Sequence, residues 1–306
     1  MIDRLIDRIE KLNAPVCVGL DPAPHMIPYG IKTACSEEHA DPLTAGASAL
    51  LAFNRLIIDA VYDIVPVVKP QIAMYERFGP DGLRAYAETA RYAKSRGLLV
   101  IGDIKRGDIS GTAEAYAAHI GGIETGGETL FPWFMDAVTL NPYLGTDSVK
   151  PFIDVCRERD KGIFILVKTS NPGSADLQDL RLESGLRIYE HMADLVAGWG
   201  KNLIGKRGYS KAGAVIGATF PEQGRALRQR APSTFFLVPG YGAQGSAGRD
   251  LRGFFDKDGI GCIVNSSRGI ITAWQKDKRF GENNIGDAAR DAVSAMKEDL
   301  LEAFSC

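Results

Sequence analysis

The hydrophobic pattern of the chain is an alternation of short, almost wholly apolar runs with longer stretches of helical periodicity. The runs are rich in Val, Ile, Leu and Phe, as is typical of strands that are buried on both faces. They lie at residues 15–21, 64–71, 98–105, 137–143, 162–169, 212–219, 235–240 and 262–268. Helical patterns fill the intervals, for example at 81–97 and 186–205, and a last helix is predicted near 284–304.

Repeated strand–helix alternation predicts a parallel sheet that closes into a (β/α)8 TIM barrel. An open doubly wound α/β sheet is the alternative with the same local pattern. Residues 1–306 are interpreted as a single domain, which begins with an amphipathic helix at 1–13 that carries both charge signs, unlike a signal peptide. The segment at about 22–50 is rich in Pro, His, Ala and Ser, and it is interpreted as an insertion in the first βα loop.

Composition and charge narrow the class of protein. The chain has 306 residues, of which 45% are hydrophobic and 24% charged, so it can bury a large core. Lys and Arg total 36 against 38 for Asp and Glu, which leaves no global basic field to hold nucleic acid or an anionic membrane. No apolar run is expected to reach the roughly 18 residues of a membrane span. We therefore expect a soluble protein without nucleic-acid or membrane partners.

The cysteines favour a reducing compartment. The chain has five, at positions 17, 35, 156, 262 and 306, and none of them forms a CxxC pair. An odd number, with two of the five inside apolar runs, favours buried reduced thiols over a disulfide framework. The expected location is the cytoplasm.

Polar side chains are concentrated where the predicted strands end. They are Asp21, Lys69, Gln71, Asp103, Lys105, Asn141, Lys168, Thr169, Ser170, Thr219 and Arg268. Barrel enzymes build their active sites at the carboxyl ends of the strands, so the set predicts an active site there. Any one of these residues, taken alone, could equally be a solvated loop residue.

The densest polar cluster follows the third run, at residues 102–109. Asp103 and Lys105 are two positions apart on a strand, so both side chains are expected to point into the barrel mouth. With Asp108, the cluster would place two carboxylates around one ammonium group, which favours the charged lysine and suits it to protonate a carbanion. The same carboxylates would repel a carboxylate on a substrate. The alternative is a structural ion-pair cluster that closes the barrel.

The segment after this cluster is expected to turn into a helix. Gly107 allows a tight turn. Asp108 or Ser110 is expected to cap the helix that begins near Gly111.

A second candidate site follows the last two strands. Residues 239–245 are glycine-rich and Arg268 follows the next strand, and loops in these two places form the usual phosphate site of the barrel. Glycines let backbone N–H groups approach phosphate oxygens, and arginine can bind them bidentately.

Other common site motifs are absent from the sequence. The four histidines are scattered without metal-ligand spacing, and the chain has neither a Walker motif nor a GxSxG motif.

These motifs together resemble the orotidine 5′-phosphate decarboxylase family. The matching segments are Asp103-x-Lys105-x-x-Asp108-Ile109, Ser170-Asn171-Pro172-Gly173, Pro239-Gly240-x-Gly242-x-Gln244 and Arg268. The segments CVGLDP at 17–22 and VKPQIAMYERFG at 68–79 are similar to the bacterial type 2 subfamily. The resemblance covers essentially the whole chain in strand order, and it includes Ile109 among the candidate substrate-contact residues.

The resemblance implies decarboxylation of orotidine 5′-phosphate to UMP, the last step of de novo pyrimidine synthesis, without metal or organic cofactor. It implies that Lys105 protonates C6 as CO2 leaves, while Asp103 lies beside the substrate carboxylate and holds Lys105. Asp108 is implied to enter the active site of the neighbouring subunit in a homodimer. There it would contact the ribose hydroxyls, as Asp21 and Lys69 are also implied to do.

The remaining assignments concern the two ends of the nucleotide. Ser170 is implied to read the pyrimidine amide, whereas Gln244 and Arg268 bind the phosphate. Pro239 lines the pocket, and Asn141 ends the fourth run in an Asn-Pro-Tyr segment that the type 2 pattern shares.

Two other functions are compatible with parts of the pattern. Sister sugar-phosphate decarboxylases and aldolases share the Asp-x-Lys-x-x-Asp motif and use a divalent metal, but they need a carboxylate ligand where this chain has Lys69. A non-catalytic barrel that binds nucleotides is the second alternative, which the intact polar cluster and phosphate motif disfavour. One departure from the family pattern is Asn171, where many relatives carry His.

Overall fold

A closed parallel barrel is the central feature of the computed structural model, which describes residues 1–242 and 246–304. The strands of the chain are β1 (Val16–Leu20), β2 (Val67–Pro70), β3 (Leu99–Arg106), β4 (Ile123–Thr125), β5 (Glu128–Leu130), β6 (Ala137–Leu140), β7 (Gly162–Lys168), β8 (Ser210–Ile216), β9 (Thr234–Pro239) and β10 (Cys262–Ser266). Eight of these described strands close the barrel in the order β1-β10-β9-β8-β7-β6-β3-β2. The TIM-barrel prediction is confirmed, and each predicted run overlaps one barrel strand, with boundaries that agree to within two residues at the strand starts of β8 and β9 and one residue at the end of β3.

Helices follow the strands and form the outer layer. They are α1 (Ile2–Leu12), α2 (Tyr29–Glu38), α3 (Pro42–Val61), α4 (Ala73–Glu76), α5 (Gly79–Ser95), α6 (Ser110–Gly121), α7 (Thr146–Glu158), α8 (Ala175–Gln178), α9 (Ile188–Gly200), α10 (Pro221–Arg230), α11 (Gly248–Leu251), α12 (Arg268–Ile271), α13 (Ala273–Lys276) and α14 (Ile285–Glu302). Short 3-10 helices lie at Pro24–Met26, Pro172–Ser174, Lys201–Leu203, Arg252–Phe254 and Glu282–Asn284.

The strands alternate between two hydrophobic cores, because successive side chains point to opposite faces of a strand. Side chains such as Ile101, Phe164 and Phe235 point inward and form the barrel interior. Their neighbours in sequence point outward and pack against the helices. Helix α1 contributes Leu5 and Ile6 to the interior cluster, so it closes the amino-terminal end of the barrel. The interior of the barrel is therefore accessible from the carboxyl ends of its strands.

Helix α3 has an apolar character that the sequence analysis did not anticipate. By length and composition alone it could cross a membrane, although no apolar run of that length was expected. Half of the apolar window is buried inside the protein, where α3 packs against α2, α5 and α14. Packing against neighbouring helices accounts for the composition of α3.

The segment after β1 differs from its predicted form. Residues 22–50 were interpreted as an insertion, but α2 occupies its middle and α3 already begins at Pro42. The side chain of Asp41 caps α3 by accepting a hydrogen bond from the backbone N–H of Thr44 at 2.8 Å. The boundary was placed too late because the first turns of α3 are rich in Ala, Gly, Ser and Thr, which resemble a loop in composition.

The antiparallel hairpin of β4 and β5 was not predicted. It lies outside the barrel between α6 and β6, and its strands are too short and too exposed to give an apolar run.

The prediction of buried reduced cysteines is confirmed for the four cysteines within the described residues, which are free and buried. Cys306 lies outside the described residues.

Candidate active site

A buried carboxylate lies between two ammonium groups at the open end of the barrel. Lys69 Nζ donates to Asp103 Oδ2 at 2.6 Å, and Lys105 Nζ donates to Asp103 Oδ1 at 2.5 Å. Asp103 and Lys69 are almost wholly buried, whereas the side chain of Lys105 is 44% exposed. The prediction that Asp103 and Lys105 share one face of the strand is confirmed. Of the two ammonium groups, the one on Lys105 is accessible to a ligand.

Thr139 is a site residue that the sequence analysis missed. Its hydroxyl donates to Asp103 Oδ1 at 2.8 Å and accepts from the backbone N–H of Lys105 at 3.0 Å. This one side chain therefore fixes both the carboxylate and the backbone of the lysine. The signal that could have identified it was a lone hydroxyl in an apolar strand. Thr139 lies two positions before Asn141, and the two side chains are therefore on the same face of the strand.

Charge pairing dominates the electrostatics of this cluster. Burial by itself raises the pKa of Asp103, but the ammonium groups of Lys69 and Lys105 outweigh it and hold the pKa well below its ordinary value. Burial likewise lowers the pKa of Lys69, and the carboxylates of Asp103 and Asp21 outweigh it and raise the pKa above its ordinary value. The buried pair is therefore fully charged near neutral pH.

Substitution of Asp103 by Asn is expected to destabilise the fold in a pH-dependent way. The depressed pKa gives Asp103 a stabilising contribution that is complete above about pH 4 and is lost as the pH falls towards the folded-state value. Without the charge, the Lys69 ammonium stays buried and loses its closest partner. Urea denaturation at pH 7 is expected to show a free energy of unfolding lower by about 3 kcal/mol, and the difference from wild type should narrow below pH 4.

A matched control is Asp154→Asn, which removes an exposed carboxylate paired with Lys150 and Arg157. That change is expected to cost less than about 1 kcal/mol. Equal costs at the two positions would contradict the charge assignment at Asp103.

A cavity of about 650 Å³ opens above this cluster. It is lined by seven of the predicted site residues, which are Lys69, Asp103, Lys105, Asn141, Thr169, Ser170 and Pro239. Thr139, Tyr143, Leu177, Gln178 and Met192 also line it and were not singled out in the sequence. The volume lies in the range of small-molecule sites.

Other predicted site residues lie outside this lining. Asp21 follows β1 and has a buried Oδ1 without a hydrogen-bond partner in the described part of the chain. Arg268 begins α12, is exposed, and forms no ion pair within residues 1–242 and 246–304. Gln244 lies outside the described residues.

Asp108 does not occupy its predicted place beside Lys105. Its Oδ1 accepts from the backbone N–H of Ile109 at 2.8 Å, and it makes no ion pair with Lys105. The prediction of two carboxylates around one ammonium group is therefore wrong within one chain. The structure instead has one carboxylate, that of Asp103, between the ammonium groups of Lys69 and Lys105. The register of β3 against β6 shifts between Gly102 and Arg106, Lys105 has a φ of 46°, and the strand ends at Arg106, so regular strand alternation does not extend to Asp108.

The helix-cap prediction is also wrong. Helix α6 has Ile109 at its N-cap without a side-chain hydrogen bond, so neither Asp108 nor Ser110 caps it. Gly107 is needed for close approach, since a Cβ there would lie 2.3 Å from the carbonyl oxygen of Asn141.

The donor set of the cluster does not suit a divalent cation. Within the described ranges no group of three or more His, Cys, Asp or Glu side chains could hold a metal ion. At the end of β2, where metal-dependent relatives need a carboxylate, the chain has Lys69, and this lysine already occupies one oxygen of Asp103.

A family model and curated relatives match this chain along most of its length. A family model described as orotidine 5′-phosphate decarboxylase / HUMPS matches residues 14–279. The orotidine 5′-phosphate decarboxylase of Rhodopirellula baltica is 44% identical over 296 residues, which cover 95% of this chain and 96% of the relative. That of Clostridium novyi is 42% identical over 302 residues, with 98% of both chains covered.

Solved structures agree with the sequence relatives. Leishmania donovani OMP decarboxylase is 30% identical, with a TM-score of 0.74 over 100% of this chain and 99% of that chain. Leishmania donovani UMP synthase is 31% identical, with a TM-score of 0.75 over 99% of this chain and 56% of that longer chain. With the strand-end cluster in place and relatives matched along almost their full length, the chain belongs to the orotidine 5′-phosphate decarboxylase family.

Proposed function

We propose that this chain converts orotidine 5′-phosphate to UMP and CO2, with Lys105 as the proton donor. The observation that carries the proposal is the Lys69–Asp103–Lys105 cluster at the floor of the cavity. When the bond from C6 to the carboxylate breaks, its electron pair stays on C6. The carboxylate is released as CO2 in this step, and the Lys105 ammonium transfers a proton to C6. The neutral amine of Lys105 then regains a proton from solvent.

The chemistry needs electrostatic help because the carbanion at C6 has little resonance stabilisation. An ammonium held at a fixed position lowers the barrier without reorganisation during the reaction. Asp103 and Thr139 hold Lys105 in that position. Asp103 also places a negative charge near the substrate carboxylate, and binding energy from distant parts of the nucleotide can offset this repulsion.

The remaining contacts are proposed from position in the cavity and from the family resemblance. Ser170 contacts the pyrimidine amide, Pro239 lines the base pocket, and Asn141 is a further substrate contact, as their places in the cavity lining allow. Asp21 and Lys69 bind the ribose hydroxyls, an arrangement that the unpartnered Oδ1 of Asp21 supports.

We also propose that the active site is shared between two copies of the chain. Asp108 makes no ion pair with Lys105 in its own chain, where its Oδ1 accepts from the backbone N–H of Ile109, and the apolar side chain of Ile109 is 54% exposed and so available for contact with a second copy. A second copy would cover Ile109 and bring its own Asp108 to the ribose. The homodimer is the proposed active form.

Purified protein titrated with orotidine 5′-phosphate tests the proposed reaction. Loss of the substrate carboxylate changes the ultraviolet absorbance of the pyrimidine, so turnover is followed directly, and UMP is identified by chromatography. An unchanged spectrum after long incubation would overturn the proposal.

Activity is expected to survive metal removal. Because Lys69 takes the place of a carboxylate ligand, exhaustive EDTA treatment should leave turnover unchanged, and added Mg²⁺ should alter it little. The control is a sugar-phosphate substrate assayed with and without Mg²⁺. An enzyme that EDTA inactivates and Mg²⁺ restores would move the assignment to the metal-dependent relatives.

Loss of the Arg268 guanidinium is expected to weaken phosphate binding. The phosphate lies at the end of the nucleotide remote from C6, so Arg268→Ala should raise KM by roughly 100-fold, the factor expected for a charge-assisted bidentate contact. A fall in kcat is also expected if closure of the site depends on the phosphate. Steady-state kinetics measure both, with Arg249→Ala, an exposed arginine on α11, as the control. An unchanged kcat/KM would contradict the phosphate role.

The four buried free thiols support a reducing compartment, and the cytoplasm is the proposed location.

A further inference from the structure

Lys168 is a buried charge that the proposed chemistry does not use. It is the last residue of β7, and its side chain is fully buried. Its ammonium does not line the cavity. A buried ion pair is weak evidence for stability, because well-packed apolar side chains of similar volume often stabilise a fold as well or better. The position therefore calls for a role other than general stabilisation.

The two hydrogen bonds of the Lys168 ammonium both lead to the segment that follows β7. Nζ donates to Ser174 Oγ at 3.2 Å and to Asp179 Oδ2 at 2.9 Å. The ammonium also lies 4.6 Å from the centre of the Phe220 ring and 5.6 Å from that of Tyr189. One charge thus joins the loop after β7, the loop after β8 and helix α9.

A second anchor holds the beginning of the same loop. Gln178 Oε1 accepts from the backbone N–H of Thr169 at 3.0 Å, and Gln178 Nε2 donates to Thr169 Oγ1 at 2.8 Å. Residues 169–179 therefore form a closed loop, with Ser170 next to the Gln178 anchor.

The backbone after β8 packs closely against Ser170. A Cβ on Gly217 would lie 2.8 Å from the backbone N, Cα and Cβ of Ser170, so only glycine leaves room for the loop. Thr219 donates a long hydrogen bond of 3.4 Å to the Ser170 carbonyl oxygen. Ser170 is thus confined from behind, and the Lys168 anchor limits movement of the loop towards solvent.

We propose that Lys168 is a positioning residue for pyrimidine recognition, which acts by fixing the 169–179 loop and with it the Ser170 hydroxyl. The inference rests on the proposed function, since it assigns Ser170 to the pyrimidine. A recognition group must be held to within about half an ångström, and loops reach such precision only when their supports are rigid. The Lys168–Asp179 pair is that support.

The test compares two ligands that differ only in the base. Calorimetry measures binding of UMP and of ribose 5-phosphate to wild type and to Lys168→Met. We expect roughly tenfold weaker UMP binding in the variant, with ribose 5-phosphate affinity unchanged. With orotidine 5′-phosphate, KM is expected to rise more than kcat falls. A simple loss of stability would lower the amount of active protein but leave the ratio of the two affinities unchanged.

A double-mutant cycle with Ser170→Ala makes the test specific. If Lys168 acts through Ser170, Lys168→Met should add little further loss of UMP affinity in the Ser170→Ala background. The matched control is Lys94→Met, which breaks an ion pair with buried Asp136 at the other end of the barrel. It should change the affinities for neither ligand.

Equal losses for both ligands, or fully additive losses in the cycle, would overturn the positioning role. Should Lys168→Met fail to fold, Asp179→Asn removes the charge that pairs with the ammonium at a residue outside the cavity lining, and it decides by the same comparison, with a smaller loss expected for UMP alone. Wild-type protein that binds UMP but does not decarboxylate orotidine 5′-phosphate would overturn the proposed function instead, and the binding cycle would still decide the role of Lys168.

Discussion

Lys105→Ala is expected to lower kcat by roughly 10³-fold or more, because it removes both the proton donor and the positive charge at the developing carbanion. Binding of UMP should persist, since the contacts proposed for the phosphate and the pyrimidine lie elsewhere in the cavity. Asp103 keeps its hydrogen bond to Lys69, so the buried carboxylate is still paired and the fold should survive. The absorbance assay measures kcat, and calorimetry measures UMP affinity.

A surface lysine provides the control for this substitution. Lys150 lies on α7, is 67% exposed, pairs with Asp154 and does not line the cavity, so Lys150→Ala should leave kcat and KM unchanged. A Lys105→Ala variant with near-normal kcat would refute the catalytic assignment. Loss of UMP binding together with kcat would indicate a collapsed site and would also contradict it.

The second large effect is recovery of activity from two inactive variants. Lys105→Ala and Asp108→Ala chains are unfolded together and refolded as a mixture. If Asp108 acts in the partner's site, each mixed dimer has one site with both defects and one site with neither. Random pairing makes about half of the dimers mixed, so roughly a quarter of wild-type activity should return.

The matched control mixes Lys105→Ala with Asp103→Asn. These two side chains contact each other in one chain, so every site of a mixed dimer keeps a defect and no activity should return. Native mass spectrometry verifies that mixed dimers form. If mixed dimers form and their activity does not exceed the summed activities of the Lys105→Ala and Asp108→Ala proteins, Asp108 acts within its own chain. That result would refute the shared site.

The local pattern of hydrophobic residues was sufficient to predict the barrel strands and their order along the chain. Apolar runs buried on both faces differ from the helices between them in length and period, and both signals are contained in a few consecutive residues. The same pattern failed at α3 and at the β4–β5 hairpin. In α3 the small residues after Pro42 resemble a loop, whereas the hairpin strands are short and exposed and so have no apolar run.

The membership of the candidate site was partly predictable for a similar reason. Parallel strands that close into a barrel bring their carboxyl ends together, so polar residues at those ends identify Lys69, Asp103 and Lys105 as neighbours before any contact is known. Which of them pair could not be read from spacing. Asp108 lies three residues after Lys105 in sequence, yet its Oδ1 accepts from the backbone N–H of Ile109 and it forms no ion pair with Lys105 within the described chain.

The sequence by itself therefore determined the barrel, the end at which the site lies and the family of the chain, because these depend on periodicity and on motifs within single segments. Only the tertiary structure decided that Asp103 lies between Lys69 and Lys105, that Thr139 holds both carboxylate and backbone, and that Lys168 supports a loop instead of lining the cavity. Several of these contacts join residues from different strands or from a strand and a distant loop. They depend on the stagger of neighbouring strands and on the packing of side chains in the barrel, which no local pattern encodes.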